Sequence, residues 1–187
     1  MLQESEKKFL LDLARRSIWY FFHKGDLLEF NNLMHLPKLL KTKLASFVTL
    51  KKYEELRGCI GHILPIQPLY QDVIENSVAA AFRDPRFPPL HISEFNEIKI
   101  AVSVLSKPKI LKWFTLDDLF EQLKVNQGVI LRSGLRQATY LPEVWQQLPQ
   151  KEKFLSSLAR KAGLPSDIWT NPQITKIYVY ETKQCEG

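Results

Sequence analysis

Ala45-Ser46-Phe47-Val48-Thr49-Leu50-Lys51, a turn at Tyr53-Glu54-Glu55, and the return run Leu56-Arg57-Gly58-Cys59-Ile60-Gly61-His62-Ile63 decide the fold. The first run is β-branched and aromatic, the residue types that suit a pleated strand. The second comes back after a short turn, so together they predict a β-hairpin. Alternation along a strand then puts Arg57, Cys59, Gly61 and Ile63 on one face and Leu56, Gly58, Ile60 and His62 on the other. The chain has only seven glycines, and two of them bracket one thiol. Glycine inside a strand marks a bulge or a close approach by backbone or ligand. Two readings follow. Either space is kept beside Cys59 for a ligand, or the sheet is crowded there around a buried structural thiol.

Downstream, Pro68 opens a helix that runs along Leu69, Val73, Ser77 and Ala80 to about Phe82, with Asn76 on a stripe that faces the hairpin. Pro85 stops it, and Pro88 and Pro89 stiffen the loop that follows. Arg83, Asp84 and Arg86 in that loop suit recognition of a carboxylate or other anion, since arginine presents a planar fork of donors. An internal Arg–Asp turn holding the helix end fits them equally. Ser93–Asn96 reads as a helical turn, and Ile98–Leu105 alternates as a strand. The order hairpin, helix, turn, strand then recurs. Gly128–Arg132 and Gln137–Leu141 flank a turn at Ser133–Arg136. Pro142 opens a short helix, Lys151–Ala162 forms a longer one ended by Gly163 and Pro165, and Ile174–Glu181 is a final strand. Between the two sets, Thr115-Leu116-Asp117-Asp118 starts a helix with a capping-box pattern. Ahead of them, residues 5–23 form a helix with Ser5 as N-cap and Gly25 as its stop, and Trp19–Phe22 are read as core packing. Residues 26–43 are an irregular connector. The expectation is an α+β protein, one domain over residues 1–187, with a largely antiparallel sheet and packed helices. A structural duplication of the hairpin-helix-strand unit, over 45–105 and 128–181, is a hypothesis at this point.

The 187 residues are 45% apolar and 25% charged, ordinary for a globular chain that can bury a sizeable core. No apolar run approaches the roughly 20 residues a membrane span needs, so no membrane association is expected. The charged amphipathic N-terminus does not match a secretory leader. Of the two cysteines, Cys185 is expected in a mobile tail, a disulfide to Cys59 is not, and the reading is a reducing cytoplasm. The formal net charge is +6. Its lysines and arginines are scattered rather than set in a stripe with aromatics, which favours a solvated surface over a nucleic-acid face.

The chemistry gathers around the hairpin and the helix-end loop. Cys59 is the candidate catalytic nucleophile, with Arg57, Arg83 or Arg86 favouring its thiolate and His62 or Asp84 handling protons. Alternation sets Cys59 and His62 on opposite faces, so they form no dyad. Cys59 and His62 are too few ligands for zinc, and His23, His35 and His91 are isolated, so no metal site and no cofactor are expected. The competing reading is a ligand-binding set, Arg57, Gly58, Gly61, His62, Arg83, Asp84 and Arg86, around a small anionic ligand.

Over about residues 44–180 the chain resembles the AMMECR-one family, whose prokaryotic members are called AmmeMemoRadiSam system protein A. Leu56-Arg57-Gly58-Cys59-Ile60-Gly61 carries the resemblance. Phe47-Val48-Thr49-Leu50, Arg83-Asp84-Pro85-Arg86-Phe87-Pro88-Pro89, Ser103-Val104-Leu105-Ser106, Tyr140-Leu141-Pro142-Glu143-Val144-Trp145 and Lys161-Ala162-Gly163-Leu164 support it. Ser133-Gly134-Leu135-Arg136-Gln137 departs from the more glycine-rich turn such a chain is expected to have. The resemblance implies an α+β fold with an antiparallel sheet and an internal repeat. It also implies a Memo-like protein and a radical-SAM enzyme as partners. The family's biochemical role is largely unassigned. The residues therefore favour an accessory or ligand-binding component, with an enzyme using Cys59 on a small anionic substrate as the alternative and a nucleic-acid-associated regulator as the weaker one. Whether the chain is an enzyme is left open.

Overall fold

The computed structural model describes residues 2–29 and 36–187, so His35 and residues 30–35 of the expected connector lie outside the described residues. The chain divides into two compact units, Met1–Leu105 with Lys183–Gly187, and Ser106–Thr182.

The first unit contains helix α1 (Glu4–Lys24), the single turn α2 (Lys38–Lys41), strands β1 (Ala45–Lys52) and β2 (Glu55–Gly61), helix α3 (Leu69–Phe82) and strand β3 (Ile98–Leu105). Helix α1 begins one residue earlier than expected. Gln3 and Glu6 form a capping box in place of Ser5, satisfying two of the first turn's orphan N–H groups. Gly25 ends it in the left-handed region, φ 72°. The buried stripe of α1 is Leu10, Leu13, Ala14, Ser17 and Ile18. The Trp19–Phe22 run is only partly buried, and Trp19 remains 48% exposed.

Strand β1 is central. It pairs antiparallel with β2 on one side and β3 on the other. Val48 and Leu50 of β1 join α1, α3, Ile100 and Val102 in one core, so the even positions of β1 face the helices and the odd ones face away. The hairpin turn uses Tyr53 and Glu54, both at positive φ (51° and 65°), a conformation that suits glycine or asparagine.

The second unit contains β4 (Lys109–Ile110), α4 (Leu116–Gln122), β5 (Gly128–Ser133), β6 (Arg136–Tyr140), α5 (Lys151–Lys161) and β7 (Lys176–Tyr180). Thr115 and Asp118 form the expected capping box of α4. Strand β5 pairs antiparallel with β6 and with β7, the arrangement of β1 with β2 and β3. The core here is aromatic: Trp145 and Phe154 stack with ring centroids 3.6 Å apart and planes 5° off parallel, among Leu155, Leu158, Ile177 and Val179.

Among the described residues the fold is the expected antiparallel α+β, built as two four-stranded sheets ordered β2-β1-β3-β8 and β4-β7-β5-β6. Strand β4 follows β3 but pairs with β7. Strand β8 (Thr182–Glu186) follows β7 but joins the first sheet beside β3, where Ile100 and Gly187 exchange both backbone hydrogen bonds. Strand β4 therefore lies in the sheet of β5, β6 and β7, and β8 in that of β1, β2 and β3. This also corrects the mobile tail expected at Cys185. That residue is 6% exposed within the first core, and burial pushes its thiol above the ordinary value.

Candidate functional site

The register of β1 with β2 slips between Leu50 and Lys51: Leu50 faces Gly58 while Lys51 faces Leu56, leaving Arg57 as the extra residue of a bulge. Strict alternation therefore fails at Arg57, which was expected to neighbour Cys59. Its guanidinium instead forks onto Glu94, Nε to Oε1 at 3.1 Å and Nη2 to Oε2 at 3.0 Å, and Nη1 donates to the Pro88 carbonyl at 2.9 Å. Arg57, with help from the His91 N–H and Lys52, lowers the Glu94 carboxyl to about 2.

Gly58 is glycine because α3 lies against it. A Cβ there would sit 2.1 Å from the Ala80 carbonyl oxygen. At Gly61 a Cβ would meet the Phe47 ring at 2.3 Å and the Ser46 carbonyl at 2.4 Å. The close approach that both glycines permit is made by the protein's own atoms.

Cys59 lies between them, half-buried, opposite Thr49 in the register. Thr49 Oγ1 is 3.2 Å from Cys59 Sγ. β2 is the edge strand of its sheet, and an edge strand offers unpaired backbone groups. At Cys59 the helix-end loop covers them. Asp84 Oδ2 accepts from the Cys59 N–H at 2.8 Å, and Arg86 Nη2 donates to the Cys59 carbonyl at 3.1 Å. Arg86 also donates to both Asp84 oxygens, at 3.0 and 2.7 Å. Hydrogen bonds from Arg86, joined by the Cys59 and Arg86 backbone N–H groups, hold the Asp84 carboxyl well below the usual carboxylate range. Asp84 in turn raises Arg86, and the Cys59 sulfur adds to that shift. Arg86 thus stands near the sulfur as well as the carbonyl, and its side chain keeps 53% exposure. Arg83 goes elsewhere. Its backbone N–H closes α3 on the Ala79 carbonyl, and its guanidinium sits 5.9 Å from the centroid of the Phe21 ring.

His62 turns to the helix side, opposite Cys59 as the alternation predicted. Its Nδ1 is 2.6 Å from Asp72 Oδ1. Asp72 is fully buried, and its other oxygen accepts from the Ser46 N–H (2.7 Å), the Ser46 hydroxyl (2.6 Å) and Asn76 Nδ2 (2.9 Å). Asn76 also reaches the Ser46 carbonyl at 3.1 Å. Ser46 and Asp72 were missed in the sequence. The available signal was Asp72 and Asn76, one helical turn apart beside the apolar stripe of α3, which places two polar groups where burial is expected.

Among the described residues, no group of three or more His, Cys, Asp or Glu side chains is placed to hold a metal ion. No helix among them is long and apolar enough to cross a membrane.

The AMMECR1 family pattern matches residues 11–185, and the chain belongs to that family. A Methanopyrus kandleri protein is 41% identical over 192 residues, covering 97% of this chain and 88% of its own. A Pyrococcus furiosus protein is 36% identical over 190 residues, covering 96% and 87%. The crystal structure of a Pyrococcus horikoshii protein, itself described as uncharacterised, superposes with a TM-score of 0.89 at 33% identity, over 99% of this chain and 93% of that one.

Proposed function

We propose that this chain is a ligand-binding or accessory component whose contact point is Cys59 on the edge strand β2, with Thr49 and Arg86 beside it. One observation carries the reading: the carboxylate nearest Cys59 is not available for proton transfer. Asp84 is locked to Arg86 and the Cys59 N–H, and its carboxyl is held far below neutral pH. The other proton carrier expected there, His62, is turned to Asp72. What remains at Cys59 suits recognition: a half-buried sulfur, a hydroxyl and the exposed flank of a guanidinium. Asp84 balances the charge of Arg86, which favours a polar ligand over a strongly anionic one.

The family resemblance suggests a Memo-like protein and a radical-SAM enzyme as the company it keeps. The test is co-elution of the chain with the Memo-like protein of the same genome, before and after N-ethylmaleimide modification of Cys59. A Cys185→Ala background removes the second thiol. Co-elution lost on modification is the expected result. Co-elution unchanged by modification removes Cys59 from the contact point.

A second reading has one observation in its favour. Thr49 and Arg86 can both donate to a thiolate, the arrangement of an activated nucleophile. It predicts that Arg86→Lys slows iodoacetamide labelling of Cys59 at least ten-fold at pH 7. Unchanged labelling in that variant eliminates it.

A further inference from the structure

We infer that the second unit carries a binding site for a small monocarboxylate, in a cavity beside β4 at the edge of its sheet. The cavity has a volume of about 200 Å³ and is lined by Ser106, Lys107, Lys109, Gln127, Tyr180 and Glu181. All six belong to the second unit. Pockets for drug-sized ligands begin at about 300 Å³, so this one takes a molecule of only a few heavy atoms.

The sequence Lys107-Pro108-Lys109 sets the two lysines. Proline keeps the residue before it extended, and residues two apart on extended backbone project to the same side. Lys109 is fixed opposite Val179 by the pairing of β4 with β7. Among the described residues every ion pair lies in the first unit, so neither lysine is matched to a carboxylate.

Two further donors line the same cavity. Ser106 Oγ accepts from the Glu181 N–H at 3.0 Å, while the Ser106 N–H donates to the Glu181 carbonyl at 2.9 Å. The hydroxyl hydrogen of Ser106 remains to donate. Gln127 Oε1 accepts from the Lys124 N–H at 3.2 Å, and the Gln127 carbonyl accepts from Trp145 Nε1 at 2.8 Å. These bonds fix the residue and leave its Nε2 amide for a ligand. Tyr180 makes the wall rigid. Its hydroxyl meets Thr139 Oγ1 at 2.8 Å and donates to the Tyr140 carbonyl at 3.2 Å. Its ring covers Gly128 so closely that a Cβ there would stand 2.2 Å away.

Charge selects the ligand. Two ammonium groups against the Glu181 carboxylate leave one net positive charge, which a monocarboxylate balances and a phosphate dianion overshoots. The two oxygens of a carboxylate offer about four acceptor sites, enough for both ammonium groups, the hydroxyl and the amide.

The test is titration of the full 15N-labelled chain with sodium propionate, exchanged for sodium chloride at constant ionic strength. The Gln127 side-chain amide and the Ser106 N–H should move along a saturating curve, and propionamide, the neutral analogue, should leave them in place. A linear drift with propionate, or the same curve with propionamide, overturns the assignment. Lys107→Gln/Lys109→Gln should raise the half-saturating concentration about ten-fold, and Glu181→Gln should lower it about three-fold. An unchanged value in either variant overturns it. Inorganic phosphate should bind the unaltered chain more weakly than propionate; tighter binding of phosphate overturns the choice of a monocarboxylate.

Discussion

The two hairpin-helix-strand units pair their strands in the same order, yet they hold their crossover helices by different means. In the second unit α5 is held by apolar packing, with Phe154 stacked on Trp145 and Leu155, Leu158 and Ala159 buried around them. In the first unit α3 is tied to β1 through Asp72, Asn76 and Ser46 and approaches β2 so closely that only glycine fits at residue 58. The second unit shows that the topology does not need a buried carboxylate. In the first unit the carboxylate instead satisfies the buried Ser46 N–H and hydroxyl and the Asn76 amide.

The comparison can be pressed hardest at those two ties. Asp72→Ala leaves the Ser46 N–H buried without its acceptor and takes one of the two oxygens that the Asn76 amide donates to, and should cost about 3–5 kcal/mol. Phe154→Ala should cost about 3–5 kcal/mol through lost burial and a cavity. Urea unfolding of both variants checks this, and an Asp72→Ala cost below about 1 kcal/mol would show that the polar tie is dispensable. Next comes Gly58→Ala, which forces a methyl 2.1 Å from the Ala80 carbonyl; backbone displacement should cost about 1–3 kcal/mol. Gly25→Ala, with open space around its Cβ, should cost less, only the strain of its φ of 72°.

A condition-dependent contrast follows from charge. Asp84 and Glu94 in the first unit have folded-state values lowered by their arginines, Glu94 to about 2. Their stabilisation is present above the ordinary carboxylate range and is lost as pH falls from about 4.5 towards 2. Tyr180 in the second unit is raised to about 12 by burial, against its hydrogen bond to Thr139. Its contribution is present below about 10 and lost as pH rises towards 12. Amide hydrogen exchange should show the first unit loosening first in acid and the second first in alkali; the reverse order would undo the assignment.

The smallest effect is a gain. The β5–β6 turn places Gly134 at φ 58°, whereas the β1–β2 turn places Tyr53 and Glu54 in the same region. Replacing that pair by Asn-Gly should stabilise the chain by about 1 kcal/mol, read as a higher melting temperature.

Much of this was legible in local patterns. The hairpin at residues 45–61, the proline-opened α3 and the alternating β3 all follow from period and turn chemistry, which act over a few residues. Three features were not. The pairing of β8 with β3 joins segments far apart in the chain, and a charged five-residue strand such as Thr182–Glu186 carries little apolar periodicity. The bulge at Arg57 depends on Glu94 and the Pro88 carbonyl, which no local pattern brings to it. The Asp84–Arg86 loop was read as an anion site or an internal turn; in the structure it covers the edge of β2, a role visible only once the strand is known to be an edge.

The late position of β8 has a consequence for the order in which the protein is made. Strands β1, β2 and β3 leave the ribosome early, but the strand that covers the far side of β3 emerges only after the whole second unit. At 5–20 residues per second, β3 waits roughly 4–15 s with its hydrogen-bonding groups uncovered. During that interval the nascent chain carries an open sheet edge, the feature by which β proteins most readily join strands with the wrong neighbour.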